Sequence, residues 1–246
     1  MLLTRCLPAG PPVPARDIYT SLDLGARAPA DRPYVVSNFV ASADGRTTVG
    51  GRTAPLSGSG DIEVFRLLRT QADAVLIGAE TVRVERYAPL VSRQDMLGFR
   101  LDQGRAEQPL AIVVSRSGRM PEDIPLFNDP ASRVLFFTSS PPPRSGSWAA
   151  EVSAHQLDPG PGPLASMMRT AYDEYGVRSV LCEGGPSLLG SLLAEGLLDE
   201  YFLTVSPSLA GAAELGIASG AFAPRAMQLI WVLEHEDEIF LRYARE

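Results

Sequence analysis

The chain has no lysine, and only two cysteines and two histidines occur among its 246 residues. All 22 basic residues are therefore arginine, and this bias alone indicates no particular function. Acidic residues number 29, which gives a formal net charge of -7. Proteins that bind nucleic acid or anionic membranes do so through clusters of basic residues and the release of counterions. The composition thus argues against both kinds of partner.

The scarcity of thiols and imidazoles argues against a metal site. Cys6 and Cys182 lie far apart and form neither a CxxC pair nor a disulfide framework, so the cytoplasm is the expected compartment. Neither His155 nor His235 lies at ligand spacing from a suitable set of partners, and no metal is predicted. Zinc-dependent deamination of a base is disfavoured because the HxE and PCxxC motifs are both missing.

Long apolar runs are also missing. No segment reaches the roughly 18 apolar residues of a membrane-spanning helix. The apolar stretch at the N-terminus is too short for a signal peptide and is soon broken by prolines. Residues 1–33 are rich in Pro, Ala and Arg and lack periodicity, which predicts an irregular arm. We expect a single domain over residues 34–246.

Short apolar runs bounded by turn residues dominate that domain. Runs of this length that are rich in Val, Ile, Leu and Phe are typical of buried strands. Helical spacing appears between several of them, in Ile62, Phe65 and Leu68 after Ser59, and in 188–193 after Pro186. The predicted strands cover 34–40, 73–78, 110–115, 133–138, 179–184 and 200–206.

This alternation predicts an α/β fold with a central, mostly parallel sheet flanked by helices. The end of the chain differs, because 228–234 and 239–244 are separated by a short turn and predict an antiparallel hairpin. Pro- and Gly-rich segments at 141–147 and 158–163 are candidate insertion loops, but no change of composition marks a second core.

The segment from Val180 to Leu189 is the most informative for function. A buried strand ends there in Glu183, Gly184 and Gly185, immediately before a helix that begins with proline. Glycines allow close approach of a ligand, and free N–H groups at a helix N-terminus favour phosphate. A dinucleotide pyrophosphate would suit this turn, although Gly-Gly also forms ordinary tight turns. No GxGxxG motif is present, which disfavours the Rossmann fold.

Two further strand ends suggest contacts to phosphate. Gly78 ends one strand, and the Thr81 hydroxyl follows it. Ser115 and Arg116 end another, and a hydroxyl beside a guanidinium suits a phosphate monoester such as the 2′-phosphate of NADPH. An arginine after a strand is more commonly a solvated strand end.

A third segment, 37–46, offers polar groups that could face such a ligand. Ser42 and Asp44 leave the first predicted strand of the domain through a turn at Gly45. An Asp-Gly pair is most often only a turn.

In this order, the motifs SNFVASADGR, ADAVLIGAETVR, PLAIVVSRSG and VLCEGGPSLL resemble the reductase domain of the bifunctional deaminase/reductases of riboflavin biosynthesis. The resemblance covers roughly residues 34–211. It implies a dihydrofolate-reductase-like fold and the reduction of a ribosylaminopyrimidine phosphate, 5-amino-6-(5-phosphoribosylamino)uracil, with NADPH. It also implies a homodimer, and the apolar terminal hairpin with Ile230, Trp231, Phe240 and Leu241 would need cover.

The resemblance also implies roles for individual residues. Asp44 and Glu183 are the catalytic candidates, and Asp44 is the first choice for orienting or protonating the substrate. The substrate would be bound by Ser37, Asn38, Ser42, Asp44 and Glu85. NADPH would be bound by Gly78, Ala79, Thr81, Ser115, Arg116, Glu183, Gly184, Gly185 and Leu188.

The chain departs from the family pattern on the substrate side. Where the family commonly has an Asp-Asn-Pro sequence after Thr-Val-Arg-Ala, this chain has Glu85 and Arg86 in place of the acid and the amide. The family's fused deaminase domain is not found in this sequence, which predicts a stand-alone reductase. The departure leaves two alternatives open: a reductase of dihydrofolate or another heterocycle, and a non-catalytic protein that binds a ligand or serves in assembly.

Overall fold

The computed structural model describes residues 1–141 and 148–246. The candidate insertion loop at 141–147 therefore lies, apart from Pro141, outside the described residues. The helices are α1 Ala15–Tyr19, α2 Ser59–Gln71, α3 Ala79–Val84, α4 Gln94–Asp102, α5 Pro163–Tyr175 and α6 Pro186–Ala194. The strands are β1 Leu2–Leu7, β2 Ala9–Pro14, β3 Tyr34–Ser42, β4 Ala74–Gly78, β5 Leu110–Ser115, β6 Arg133–Thr138, β7 Glu151–Gln156, β8 Ser179–Cys182, β9 Glu200–Ser206, β10 Met227–His235 and β11 Glu238–Arg245.

All described strands form one sheet in the order β2-β1-β10-β11-β9-β3-β8-β4-β5-β6-β7. The strands from β9 to β7 in this order run parallel to their neighbours. The strands from β9 back to β2 pair antiparallel. The sheet is therefore mostly parallel, with an antiparallel section at one side, as the sequence predicts.

Helices cover both faces of the parallel strands. Helices α5 and α6 pack on one face, over buried side chains such as Val35, Leu76 and Val180. The opposite face is covered by α1 and α2 near β3 and by α3 near β4. The strands in the centre of the sheet are apolar along their whole length because both of their faces are buried.

Helix α2 faces the core differently from the prediction. Leu68 is fully buried, but Ile62 is 39% exposed and Phe65 is half-buried. The core-facing residues are Val64, Leu67 and Leu68. The three-residue spacing predicted the helix correctly, but Ile62 and Phe65 line a cavity described below instead of the core.

The prediction of an irregular N-terminal arm is wrong for residues 2–19. They form the β1–β2 hairpin and α1, and β1 extends the sheet by pairing with β10. Tyr19 of α1 packs edge-on against Trp231, with ring centroids 5.7 Å apart. Pro-rich sequence does not prevent strand formation at the edge of a sheet, where the missing N–H groups need no partner.

The terminal antiparallel hairpin is confirmed as β10 and β11. The arm supplies part of the cover that this hairpin needs, because Phe240 is 2% exposed and Trp231 packs on the core beside α1. Ile230 and Leu241 remain half-buried. Among the described residues, no helix is both long and apolar enough to cross a bilayer.

Candidate functional site

The carboxyl ends of neighbouring parallel strands meet at one edge of the sheet, and a large cavity opens there. Its volume is about 1380 Å³. Strands β3, β4 and β5, the residues after β8, and helices α2, α3 and α6 all contribute to its wall. Ligands of open α/β sheets commonly bind at this edge.

The turns after β4 and β8 lie against each other. The Gly78 N–H donates a hydrogen bond to the Gly184 carbonyl oxygen, 2.7 Å away. Gly184 has a φ of 100°, which favours glycine, and a Cβ on Gly185 would lie 3.1 Å from the Thr81 hydroxyl oxygen. The two predicted phosphate turns therefore form one surface, which Ala79 and Leu188 also line.

Glu183 lies at the centre of this edge and is held by two residues that the sequence did not single out. The Arg69 guanidinium contacts both carboxylate oxygens, with N–O distances of 2.7 Å. The Tyr87 hydroxyl donates to Oε2 at 2.8 Å. Burial and the neighbouring Glu183 charge raise the pKa of Tyr87 well above its usual value, so the phenol stays protonated. Both carboxylate oxygens of Glu183 therefore have partners within the cavity wall.

One sequence signal could have suggested such partners. Glu183 directly follows a strand buried along its whole length, and its side chain is 1% exposed. A buried carboxylate is tolerated only with a cation or several donors beside it. That argument calls for an arginine nearby but does not say which of the 22 arginines it is.

Ser115 and Arg116, the two candidate cofactor-binding residues at the end of β5, differ in their exposure. The Ser115 hydroxyl is 3% exposed and accepts the Gly118 N–H at 3.1 Å. Arg116 is exposed, lines the cavity and makes no ion pair among the described residues. The guanidinium is therefore free to bind an anion, while the hydroxyl supports the turn.

The candidate substrate residues are only partly brought together. Asn38 lines the cavity and is 6% exposed, with no hydrogen-bond partner for Oδ1 among the described residues. Glu85 also lines it and accepts the Thr53 N–H at 3.1 Å. Ser37 is fully buried in the sheet and lies outside the cavity wall, as does Ser42.

Asp44 is exposed and lies outside the cavity wall as well. Its carboxylate accepts hydrogen bonds from the Ser42 hydroxyl and from the N–H groups of Ala210 and Gly211, at 3.0 and 2.8 Å for the latter two. These bonds lower the pKa of Asp44 to about 2. Glu214, in the loop after β9, likewise accepts hydrogen bonds from the Thr48 hydroxyl and the Gly50 N–H. The two carboxylates tie the loop after β3 to the loop after β9.

We expect Asp44→Ala to loosen this connection. Amide hydrogen exchange measured by mass spectrometry should become faster in residues 207–216. The depressed pKa means that the wild-type connection is intact above the unfolded pKa of about 4 and is lost as the pH falls through about 2. Asp17→Ala, which removes an exposed acid on α1, is the control. Unchanged exchange together with a loss of turnover would instead favour a direct catalytic role for Asp44.

Residues 1–141 and 148–246 contain no group of three or more His, Cys, Asp or Glu side chains that could hold a metal ion. The described residues thus define an α/β protein with a nucleotide-sized cavity, lined by glycine turns and arginines, at the carboxyl edge of its sheet. The model of the RibD C-terminal domain family matches residues 33–236, and the chain belongs to this family.

Curated relatives of the chain are named as reductases or proteins of riboflavin biosynthesis. The 2,5-diamino-6-ribosylamino-4(3H)-pyrimidinone 5′-phosphate reductase of Methanothermobacter thermautotrophicus is 25% identical over 186 residues, which cover 73% of this chain and 80% of that protein. The riboflavin biosynthesis protein RibD of Escherichia coli is 26% identical over 197 residues, which cover 76% of this chain and 52% of that protein.

A solved structure, of a pyrimidine reductase-like protein from Corynebacterium diphtheriae, has a TM-score of 0.78 and 25% identity to the chain. The match covers 94% of this chain and 98% of the other. These relatives confirm the predicted family, and the sheet with its flanking helices confirms the predicted α/β fold.

Proposed function

We propose that the protein reduces a ribosylaminopyrimidine 5′-phosphate with NADPH. Members of the family that resemble the chain over most of their own length are named as reductases of such a compound. The observation that carries the proposal is a single cavity that joins the two glycine turns and Arg116 to the Glu183–Arg69 pair. Its volume of about 1380 Å³ allows a cofactor and a substrate to bind side by side.

The glycine turns fit a dinucleotide. Close approach of the backbone is possible at Gly185, where a Cβ would lie 3.1 Å from the Thr81 hydroxyl oxygen, and at Gly78, where a Cβ would be in ordinary contact with the facing turn. Helix α6 begins at Pro186, and no side chain caps its N-terminus, so the helix dipole favours the pyrophosphate. Arg116 would bind the 2′-phosphate. Bound NADPH supplies the hydride, and the chain orients the reactants and excludes water.

The other end of the cavity fits the substrate. Ile62 and Phe65 provide apolar surface for a flat heterocycle, and Asn38 provides a free acceptor. Arg66 is exposed, lines the cavity and makes no ion pair with the described residues. A guanidinium in this position suits the 5′-phosphate of the substrate.

Calorimetric titration with NADPH and NADH tests the cofactor. We expect tight binding of NADPH and weak binding of NADH. Arg116→Ala should weaken NADPH binding by roughly 10- to 100-fold, since a charge-assisted hydrogen bond to phosphate is worth about 1.5–3 kcal/mol, and should leave NADH binding unchanged. Arg119→Ala is the matched control, because this nearby exposed arginine lies outside the cavity wall. Equal affinity for the two cofactors would contradict the role of Arg116.

Oxidation of NADPH, followed at its absorbance maximum, tests the substrate. The compounds to compare are the 2,5-diamino-pyrimidinone phosphate, its deaminated uracil counterpart and dihydrofolate. Turnover of either pyrimidine supports the proposed function. Much faster turnover of dihydrofolate would assign the chain to another heterocycle, and no oxidation with any compound would favour a non-catalytic protein.

A homodimer is part of the proposal. The face of β10 and β11 away from α1 is apolar and incompletely covered, since Val232 and Leu241 are half-buried and Ile239 is 39% exposed. A second copy of the chain, packed face to face, would bury these side chains.

A further inference from the structure

Six acidic residues line the cavity, and five of them have an arginine or backbone N–H partner in the part of the chain that the structure describes. Glu183 pairs with Arg69, and Glu80 pairs with Arg83. The other three partnered acids accept backbone N–H groups: Glu85 from Thr53, Asp158 from Gly160, and Glu195 from Leu164 and Ala165. The sixth acid is Asp61, whose carboxyl oxygen Oδ1 is buried without a hydrogen-bond partner.

Asp61 lies in the first turn of α2 and is 5% exposed. A carboxylate in this position is usually stabilised by the free N–H groups of the helix N-terminus. Here those groups are already bound by Glu238 of β11, which accepts the N–H groups of Gly58, Gly60 and Asp61 itself, at 3.0 to 3.2 Å. Asp61 therefore has a second buried carboxyl as its neighbour and no cation paired with it.

The surroundings of Asp61 favour its protonated form. Burial raises its pKa, while the hydroxyls of Ser57 and Thr204 lower it by a smaller amount. Burial and the proximity of Asp61 also raise the pKa of Glu238. The other titratable groups nearby are the Tyr19 phenol, which burial keeps protonated, and His235, which lies beside Gly60. Two carboxyls in one buried site share a proton more readily than they both ionise.

Asp61 of α2 is near Thr204 of β9, and Glu183 follows β8, so the two acidic residues lie on either side of strand β3. Strand β3 lies between β8, which Glu183 follows, and β9, which carries Thr204. Residues 38–40 of β3 line the cavity between them. A substrate lying over β3 would thus have the arginine-bound Glu183 on one side and Asp61 on the other.

We propose that Asp61 is the proton donor of the reduction, an inference that rests on the proposed function. The bond being reduced gains a hydride from the reduced nicotinamide at carbon, and its electron pair moves to the neighbouring heteroatom. That atom takes the carboxyl proton of Asp61. The resulting Asp61 carboxylate regains a proton from water, so the step is balanced. Glu183 is unsuited to this role because its two oxygens already hold Arg69 and Tyr87.

The protonation state of Asp61 is tested without cofactor or substrate. Carbon NMR of the protein labelled at its aspartate carboxyls, compared with Asp61→Asn for assignment, should show Asp61 protonated at neutral pH. Should Asp61→Asn fail to fold, Asp61→Glu gives the assignment instead. A carboxyl that is already ionised at pH 7 would overturn the inference, whatever the enzyme reduces.

Steady-state kinetics provide the second test. Because a donor must carry its proton, the kcat of the wild type should fall as the pH rises through the pKa of Asp61. Asp61→Asn should lower kcat by roughly 100-fold or more and leave the Kd of NADPH within about twofold. Asp158→Asn, which changes another acid of the cavity wall, should keep the shape of the wild-type pH profile. Wild-type kcat in Asp61→Asn, or an unaltered fall at high pH in it, would overturn the inference. A wild type that reduces no pyrimidine would contradict the proposed function instead.

Discussion

Replacement of Arg69 by leucine is expected to lower the free energy of unfolding by about 3–5 kcal/mol, because it leaves the charge of Glu183 buried without its cation. The Glu183 side chain is 1% exposed and that of Arg69 is 11% exposed, so water is unable to replace the lost contacts. Urea denaturation of the wild type and of Arg69→Leu measures the difference in the free energy of unfolding. The same change at Arg93, whose partners Glu63 and Asp95 lie at the surface, should cost less than about 1 kcal/mol.

The double variant Arg69→Leu/Glu183→Gln separates the lost ion pair from other effects. Removal of the second charge should restore part of the stability, so that the double variant is more stable than the sum of the single changes predicts. If the two changes simply add, or if Arg69→Leu costs no more than Arg93→Leu, the buried pair does not stabilise the site as described.

Gly190→Ala is expected to destabilise the protein by about 1–3 kcal/mol, although alanine is the better helix former. Gly190 lies in α6, and a Cβ at this position would stand 1.8 Å from the carbonyl oxygen of Ser219. The loop that carries Ser219 is fixed to the same helix, since the Ser219 N–H donates to the Pro186 carbonyl oxygen. The loop must therefore move away from α6, and thermal unfolding should show a lower Tm.

Gly98→Ala is the matched control. Gly98 also lies within a helix, α4, but a Cβ there would meet nothing within 4 Å. This change should raise the free energy of unfolding by about 0.4–1 kcal/mol. A destabilisation of the same size at both positions would show that the close approach of Ser219 does not matter.

The strands of the parallel sheet could be predicted from the sequence because burial on both faces leaves an unbroken apolar run. Strand β7 has no such run, since it lies at the edge of the sheet and its side chains are at most half-buried. Strand β2 was missed for the same reason, and β1 was missed because Leu3 is the only fully buried residue among its six. Helix α4 was missed as well, because its apolar residues are few and Gly98 interrupts them.

The parts of the site formed by backbone turns could be predicted from the sequence. The parts formed by side chains that are far apart in the sequence could not. The turns at Gly78 and Gly185 carry their signal locally, in glycines between a strand and a helix. Arg69 and Asp61 carry none, because the acidic residues beside them, Glu183 and Glu238, lie more than 100 positions away in the chain. The catalytic role of Asp44 was predicted from the family resemblance, and the sequence around Asp44 does not reveal that its carboxylate bonds to Ala210 and Gly211 of another loop.

The hairpin at the N-terminus also determines where the sheet stops. Strand β2 is its last strand on that side, and three of its six residues are prolines, which lack the N–H that a further strand would need. The chain thus protects its own free edge against the addition of strands from other molecules. Association of two copies at this side of the protein must therefore use the flat face of the sheet. The prolines of β2 also prevent the sheets of successive molecules from joining edge to edge into an open-ended fibre.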